Sequence, residues 1–233
     1  MILCLETATS LCSVALADRN RVIALKESSE ERSHATALTL FVQDILKETG
    51  IKPHQLEAVA VTKGPGSYTG LRIGVSAAKG LAYATPLPLI GIDTTLTMFH
   101  GFLEQKGQEY EIGSDDFLCP AIDARRMEIY YSVYKGNGMT VKDIRAGVVD
   151  AGFLEDLPAP SRLFIFGDGA AKCRGVAERK NLIIDTGFRI SASYMRTAAY
   201  RALDEKRFED VAYFEPFYLK DFITTKPVKN ILG

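Results

Sequence analysis

The chain is short of the residues that would make it a metal-built, redox or membrane protein. Its four cysteines, Cys4, Cys12, Cys119 and Cys173, are scattered, with no CxxC pair and no histidine at ligand spacing from any of them. That excludes a zinc knuckle and a dithiol motif and leaves reduced, buried thiols. Histidine is scarcer still, at three in 233 residues. No apolar run approaches the ~20 residues that a spanning helix requires. The apolar start MILCLETATSLCSVALAD carries no basic segment before it, and Glu6 breaks the run early, unlike a secretory leader. A cytoplasmic protein with no membrane partner is expected. Excess charge is absent too: 28 basic against 29 acidic residues, net -1, exclude nucleic-acid binding by bulk charge alone.

What is present is the composition of a soluble globular chain, 47% hydrophobic and 24% charged, with room for one domain or two small lobes. Residues 2–5, 12–17 and 22–26 read as a strand meander, with the hydroxyl-rich turn Thr7-Ala8-Thr9-Ser10 joining the first two. Residues 33–49 carry Leu38, Phe41, Val42, Ile45 and Leu46 on one half of a helical wheel and stop at Gly50. Residues 56–61 form a buried strand, and 87–92 another. The style then repeats: strands at 117–122 and 129–134 flank Asp123-Ala124-Arg125-Arg126, a strand at 163–166 precedes Gly167-Asp168-Gly169, and 194–203 reads as helix. Two α/β lobes of mixed sheet plus helices are expected, an N-terminal lobe over 1–100 that the C-terminal tail could rejoin and a C-terminal lobe over 101–233, with the boundary near Asp93 to His100.

Residues 62–80, TKGPGSYTGLRIGVSAAKG, carry the most information. A strand, a Gly64-Pro65-Gly66-Ser67 turn and a helix aim backbone N–H groups at an anion, yet Gly70 is followed by Leu71-Arg72 rather than the Lys-Ser or Lys-Thr of a P-loop. A capped tight turn, with Ser67 or Thr69 as cap, accounts for the spacing equally well. Within the helix, Arg72, Ser76, Lys79 and Tyr83 share one narrow polar stripe, while Gly70, Gly74, Ala78 and Ala82 recur every four residues. Each interior glycine costs on the order of 1 kcal/mol against alanine, so close packing must offset it. A neighbouring helix of the same chain and a partner protein both satisfy that requirement.

Taken together, ILCLETATSLCSVAL, KGPGSYTGLRIGVSAAKGLA, GIDTTLTM, AIDARRMEIYYSVY, FGDGAA and the terminal PFYLKD resemble the TsaB (YeaZ) family over nearly the full chain. The resemblance implies the actin-like ATPase (ASKHA) fold, two related lobes around a cleft. It also implies a non-catalytic subunit in forming threonylcarbamoyladenosine beside the tRNA anticodon. Its implied partners are TsaD, as a heterodimer, and TsaE, as a third component, with homodimers forming when the chain is alone and tRNA reached through the complex. The implied interface uses the two N-lobe helices, here His34, Leu38, Phe41, Val42, Ile45, Gly70, Ile73, Gly74, Ala77, Ala78 and Leu81.

The catalytic partner carries HxxxH on its first helix; here His34-Ala35-Thr36-Ala37-Leu38 replaces the second imidazole with a side chain that cannot ligate. No metal and no tightly bound cofactor are expected. The first turn has Ala8 where an actin-like phosphate loop has glycine, which penalises a left-handed backbone and weakens nucleotide binding. Thr7, Gly66, Ser67, Tyr68 and Thr69 are the candidate phosphate contacts, with a nucleotide at the partner joint as the resemblance's version of the same site. The enzyme alternative is an ATP/Mg²⁺ phosphotransferase using Glu6, Asp123 and Asp168, each at a strand end. Against it, Asp123 and Asp168 also suit turns whose backbone they accept from. Lys220, Lys226 and Lys229 are candidate phosphate contacts to tRNA.

Overall fold

A computed structural model describes residues 1–29 and 34–220. Ser33, Lys226 and Lys229 lie outside the described residues. The first sheet has the order β3-β2-β1-β4-β5, from β1 (Ile2–Glu6), β2 (Cys12–Ala17), β3 (Val22–Ser28), β4 (Ala58–Gly64) and β5 (Leu89–Asp93). The second has the order β10-β9-β6-β7-β8, from β6 (Phe117–Asp123), β7 (Glu128–Lys135), β8 (Thr140–Val148), β9 (Leu163–Phe166) and β10 (Leu182–Asp185). In each, the first strand in sequence is central, runs antiparallel to the second and parallel to the fourth. One topology is used twice.

Both faces of the first sheet are covered, which is why β1, β2 and most of β4 read as unbroken apolar runs rather than as alternation. On one face, α1 (His34–Thr49) and α2 (Tyr68–Ala84) pack on Leu3, Leu5, Val14, Val59 and Val61. On the other, α4 (Arg196–Asp204) and the 3-10 turn Ala192–Met195 pack on Ile2, Cys4, Ala58, Ala60 and Ile90. The expected helix at 194–203 is therefore a 3-10 turn running into an α-helix.

The segment from Asp93 to His100, where the lobe boundary was expected, opens α3 (Thr94–Lys106), a helix that touches β4 and β5 of the first sheet and β6 of the second. Its buried residues, among them Thr94, Thr95, Met98, Phe99, Gly101 and Phe102, spread over more than half of the helix, mix threonines with apolar side chains and face half-buried Leu96, His100 and Leu103, so it leaves no amphipathic stripe to read. Two further strands escape sequence reading. β8 is an edge strand of largely exposed residues, and β10 is four half-buried residues long.

The glycines of α2 answer the question of what approaches it. A methyl group built on Gly70 would run into the Thr7 carbonyl oxygen, and one on Gly74 into the Thr7 hydroxyl. The neighbour is thus the chain's own β1–β2 turn, not a second helix. Thr7 Oγ1 donates to the Gly70 carbonyl at 2.8 Å, and the Ser67 N–H donates to the Ala8 carbonyl at 2.7 Å. Ser67 also caps the helix, its Oγ accepting from the Gly70 N–H at 3.2 Å. Gly80 differs, with open space where its side chain would stand.

This contrast sets a stability test by denaturant unfolding. Gly70→Ala is expected to cost about 2–3 kcal/mol, because a backbone oxygen has to move. Gly80→Ala is expected to stabilise by about 0.5–1 kcal/mol, since only helix propensity changes. Equal effects at the two positions would show that the Thr7 seat carries no weight.

Candidate functional site

A cleft of about 710 Å³ opens between the sheets. Its first wall is the β1–β2 turn (Ala8, Thr9, Ser10), the turn at residues 65–67 and the first residues of α2; its second is the β6–β7 turn with Asp168. Residues 217–220, returning from the C-terminal end of the described chain, line it as well. The two facing turns follow the first strand of each sheet, so the repeated topology itself brings them together.

The β6–β7 turn is held by hydrogen bonds to two acids. Asp168 Oδ1 accepts from the Asp123 N–H at 3.0 Å, and Asp123 Oδ1 accepts from the Arg125 N–H at 2.6 Å and from Lys172 Nζ at 2.7 Å. Arg125 and Arg126 take left-handed backbone, at φ 67° and 48°, and neither guanidinium forms an ion pair among the described residues. Burial raises the Asp168 carboxyl above its usual range, and the charge of Asp123 adds to that, against opposing backbone hydrogen bonds. The left-handed backbone expected to be missed at Ala8 is not used there at all.

Glu6 belongs to a different environment. It is fully buried and does not line the cleft; Oε1 accepts from the Ala8 N–H at 2.6 Å while Oε2 has no hydrogen-bond partner. Burial pushes its carboxyl up to about 7, the Thr62 hydroxyl and the Ala8 amide pulling the other way. The structure therefore does not assemble Glu6, Asp123 and Asp168 into a magnesium site. Glu6 is sealed away from the cleft with its carboxyl pushed up to about 7, Asp123 is paired with Lys172, and among the described residues no three acid, histidine or cysteine groups converge as metal ligands. The four cysteines are buried and free, with Cys12 pushed up to about 11 by burial and by Glu6.

Of the candidate phosphate contacts, Gly66, Ser67, Tyr68 and Thr69 line the cleft, but Thr7 is buried with its hydroxyl committed to Gly70. Tyr68 packs against Tyr218 with the rings tilted by 35° and their centroids 5.0 Å apart, and the Arg72 guanidinium lies over the Tyr68 ring at 4.3 Å. Lys220, a candidate tRNA contact, pairs with Glu128. Sequence reasoning did not assign Arg125 and Arg126 to the site; a pair of cations inside a hairpin turn was the available signal.

The expected partner surface needs a larger correction. Leu38, Val42, Ile45, Gly70, Gly74 and Ala78 are buried by the chain itself, under α1 and α2, and present nothing outward. His34 lies over the first turn, its Nε2 3.3 Å from the Ser10 carbonyl oxygen, and lines the cleft. What remains partly exposed is Phe41 and, more openly, Leu40 on α1, and Ile73, Ala77 and Leu81 on α2. On α2, Thr69, Arg72, Ser76, Gly80 and Tyr83 face solvent.

The family model described as TsaD: tRNA N6-adenosine threonylcarbamoyltransferase matches residues 22–224. Over 134 residues, 58% of this chain, the sequence is 40% identical to the tRNA threonylcarbamoyladenosine biosynthesis protein TsaB of Escherichia coli (strain K12), and it covers 54% of that relative, about half its length. Against the protein of the same name in Bacillus subtilis (strain 168), identity is 30% over 167 residues, 71% of this chain and 69% of the relative. The solved structure of YeaZ from Pseudomonas aeruginosa is similar with a TM-score of 0.77 and 25% identity, covering 94% of this chain and 99% of that one. With the doubled sheet order, these matches fit an actin-like, two-lobed α/β fold.

Glu6 provides a pH test. Its folded pKa stands above the unfolded value of about 4.5, so the folded state holds the extra proton, and this group's contribution is fully favourable below about 4.5 and lost as pH rises through 7. Between pH 5 and 8, Glu6→Gln is expected to gain about 2–3 kcal/mol over the wild type in urea unfolding. A stability difference flat with pH would contradict a buried, proton-holding Glu6.

Proposed function

The chain belongs to the TsaB family of tRNA threonylcarbamoyladenosine biosynthesis proteins, and on that premise we propose that it is a non-catalytic subunit of the assembly that places threonylcarbamoyl on the tRNA adenosine beside the anticodon. Its partner in this reading is a TsaD-type catalytic subunit, with a TsaE-type ATPase as a third component and tRNA reached through the complex. One observation carries the reading: the outward face of α2 with the apolar strip beside it. Gly80 is exposed in mid-helix with open space around it, so its cost of on the order of 1 kcal/mol is not recovered within the chain. Beside it, at helical spacing, Ile73, Ala77 and Leu81 leave a shallow, half-buried apolar strip along α2. A partner helix laid there would bring its backbone against Gly80 and cover that strip.

The cleft supports a subordinate role in this proposal. Ser67 and Thr69 on one wall and Arg125 and Arg126 on the other suit a phosphate-bearing ligand better than a bound metal. The separate fates of Glu6, Asp123 and Asp168 support an accessory subunit over a phosphotransferase.

Gly80→Arg tests the docking face without touching the core. The variant is expected to keep the wild-type melting temperature within about 2 °C, because Gly80 is exposed and no atom lies within 4 Å of the added Cβ. Capture of a TsaD-type subunit should fall by roughly tenfold or more, with threonylcarbamoyladenosine in tRNA falling alongside, as expected of a clash at the centre of an interface. Gly80→Ala should retain both. Unchanged capture by Gly80→Arg would remove this face from the assembly.

A further inference from the structure

The residues that follow α4 do not leave the molecule. Glu209 N–H donates to the Leu89 carbonyl at 2.8 Å at the edge of the first sheet, and Lys79 Nζ on α2 donates to the carbonyls of Ala212 and Phe214 at 3.1 and 2.9 Å. Phe217 N–H then donates to the Lys63 carbonyl at 2.7 Å, where Gly64 leaves room for the Phe217 carbonyl. The next residues cross the cleft. The Tyr218 ring packs at a tilt against Tyr68 and its hydroxyl accepts from Arg72 Nε at 3.2 Å, Tyr68 and Arg72 both being on α2. Two residues later Lys220 pairs with Glu128 at the start of β7, in the other lobe.

We propose that residues 217–220 are a lid over the interlobe cleft, fastened to α2 by the Tyr68–Arg72–Tyr218 clasp and to the second lobe by the Lys220–Glu128 pair. Neither fastening is strong. The ion pair is more than one-third exposed on each side, and Tyr218 is held to α2, among the described contacts, by a tilted and partly exposed ring contact with Tyr68 and a hydrogen bond from Arg72, whose guanidinium also lies over Tyr68. Such a lid rests closed and opens readily, whereas the segment from 209 to 214 stays anchored on the sheet edge and Lys79. Phe217, the last residue bonded to β4, is the hinge. Both fastenings hold neighbours that line the cleft, so opening exposes the cleft walls without disturbing either sheet.

Thiol labelling tests this in the full chain. The four native cysteines are buried, so Thr9→Cys, on the cleft wall and half-buried, supplies a reporter for a maleimide. With the lid intact, labelling should be slow. Tyr218→Ala should accelerate it on the order of tenfold, and Lys220→Glu by roughly three- to tenfold. Glu128→Lys combined with Lys220→Glu restores the pair with its charges exchanged and should slow labelling again. Native cysteines that stay unlabelled throughout separate lid opening from unfolding. The proposal is overturned by equal rates in all backgrounds, or by an exchanged pair that labels as fast as Lys220→Glu.

Discussion

Helix α2 can sit where it does only because it has no side chain at the two points where it meets Thr7. A helix with alanine at Gly70 or Gly74 would have to stand off from the β1–β2 turn, and the Thr7 hydroxyl would lose the Gly70 carbonyl. Three things depend on that approach. The β1–β2 turn is pinned from above through the Ser67 N–H and the Ala8 carbonyl, the N-terminal end of α2 is aimed into the cleft, and the rotation of the helix about its axis is fixed. Rotation in turn decides what α2 offers on its remaining sides: Arg72 and Lys79 to the returning C-terminal segment, Ile73, Ala77 and Leu81 as a half-buried strip, and Gly80 to solvent.

Much of this was legible in the sequence, and the reasons for the rest are physical. Elements with a clear period or a long apolar run, β1, β2, β4, β6, β9, α1 and α2, stand where their patterns put them, with ends shifted by at most three residues. Helix α3 carried no stripe because it is enclosed on most sides, and β8 carried no apolar face because it is an exposed edge. The Gly70, Gly74, Ala78 repeat announced a close approach correctly, but a glycine is silent about direction. Its meaning came from Thr7, sixty-three residues away. The stripe of Arg72, Ser76, Lys79 and Tyr83 was likewise real, yet two of its members hold the chain's own backbone and a tyrosine rather than facing only water.

The candidate site was legible in its residue types and not in their protonation or pairing. Carboxylates at strand ends are visible in any sequence. That Glu6 would be enclosed without a partner for Oε2, or that Lys172 would reach Asp123, depends on side chains from distant segments arriving at the same place. The same is true of the clasp on Tyr218, which joins α2 to a segment nearly 150 residues further along.

The doubled sheet order has a further consequence. Glu6 ends β1 and Asp123 ends β6, so the two acids occupy equivalent places in a repeated unit, each on the last residue of a central strand and each followed by a turn facing the cleft. In one half the acid is sealed inside and holds its proton more tightly than a free carboxyl; in the other it is exposed and bound to a lysine. The molecule resembles a dimer of like halves whose two copies of one position have been given different environments, one sealed and one ion-paired. A ligand that lay across the two turns would meet Ala8, Thr9 and Ser10 on one half and the charged Asp123, Arg125 and Arg126 on the other, so its charged end would face the second half.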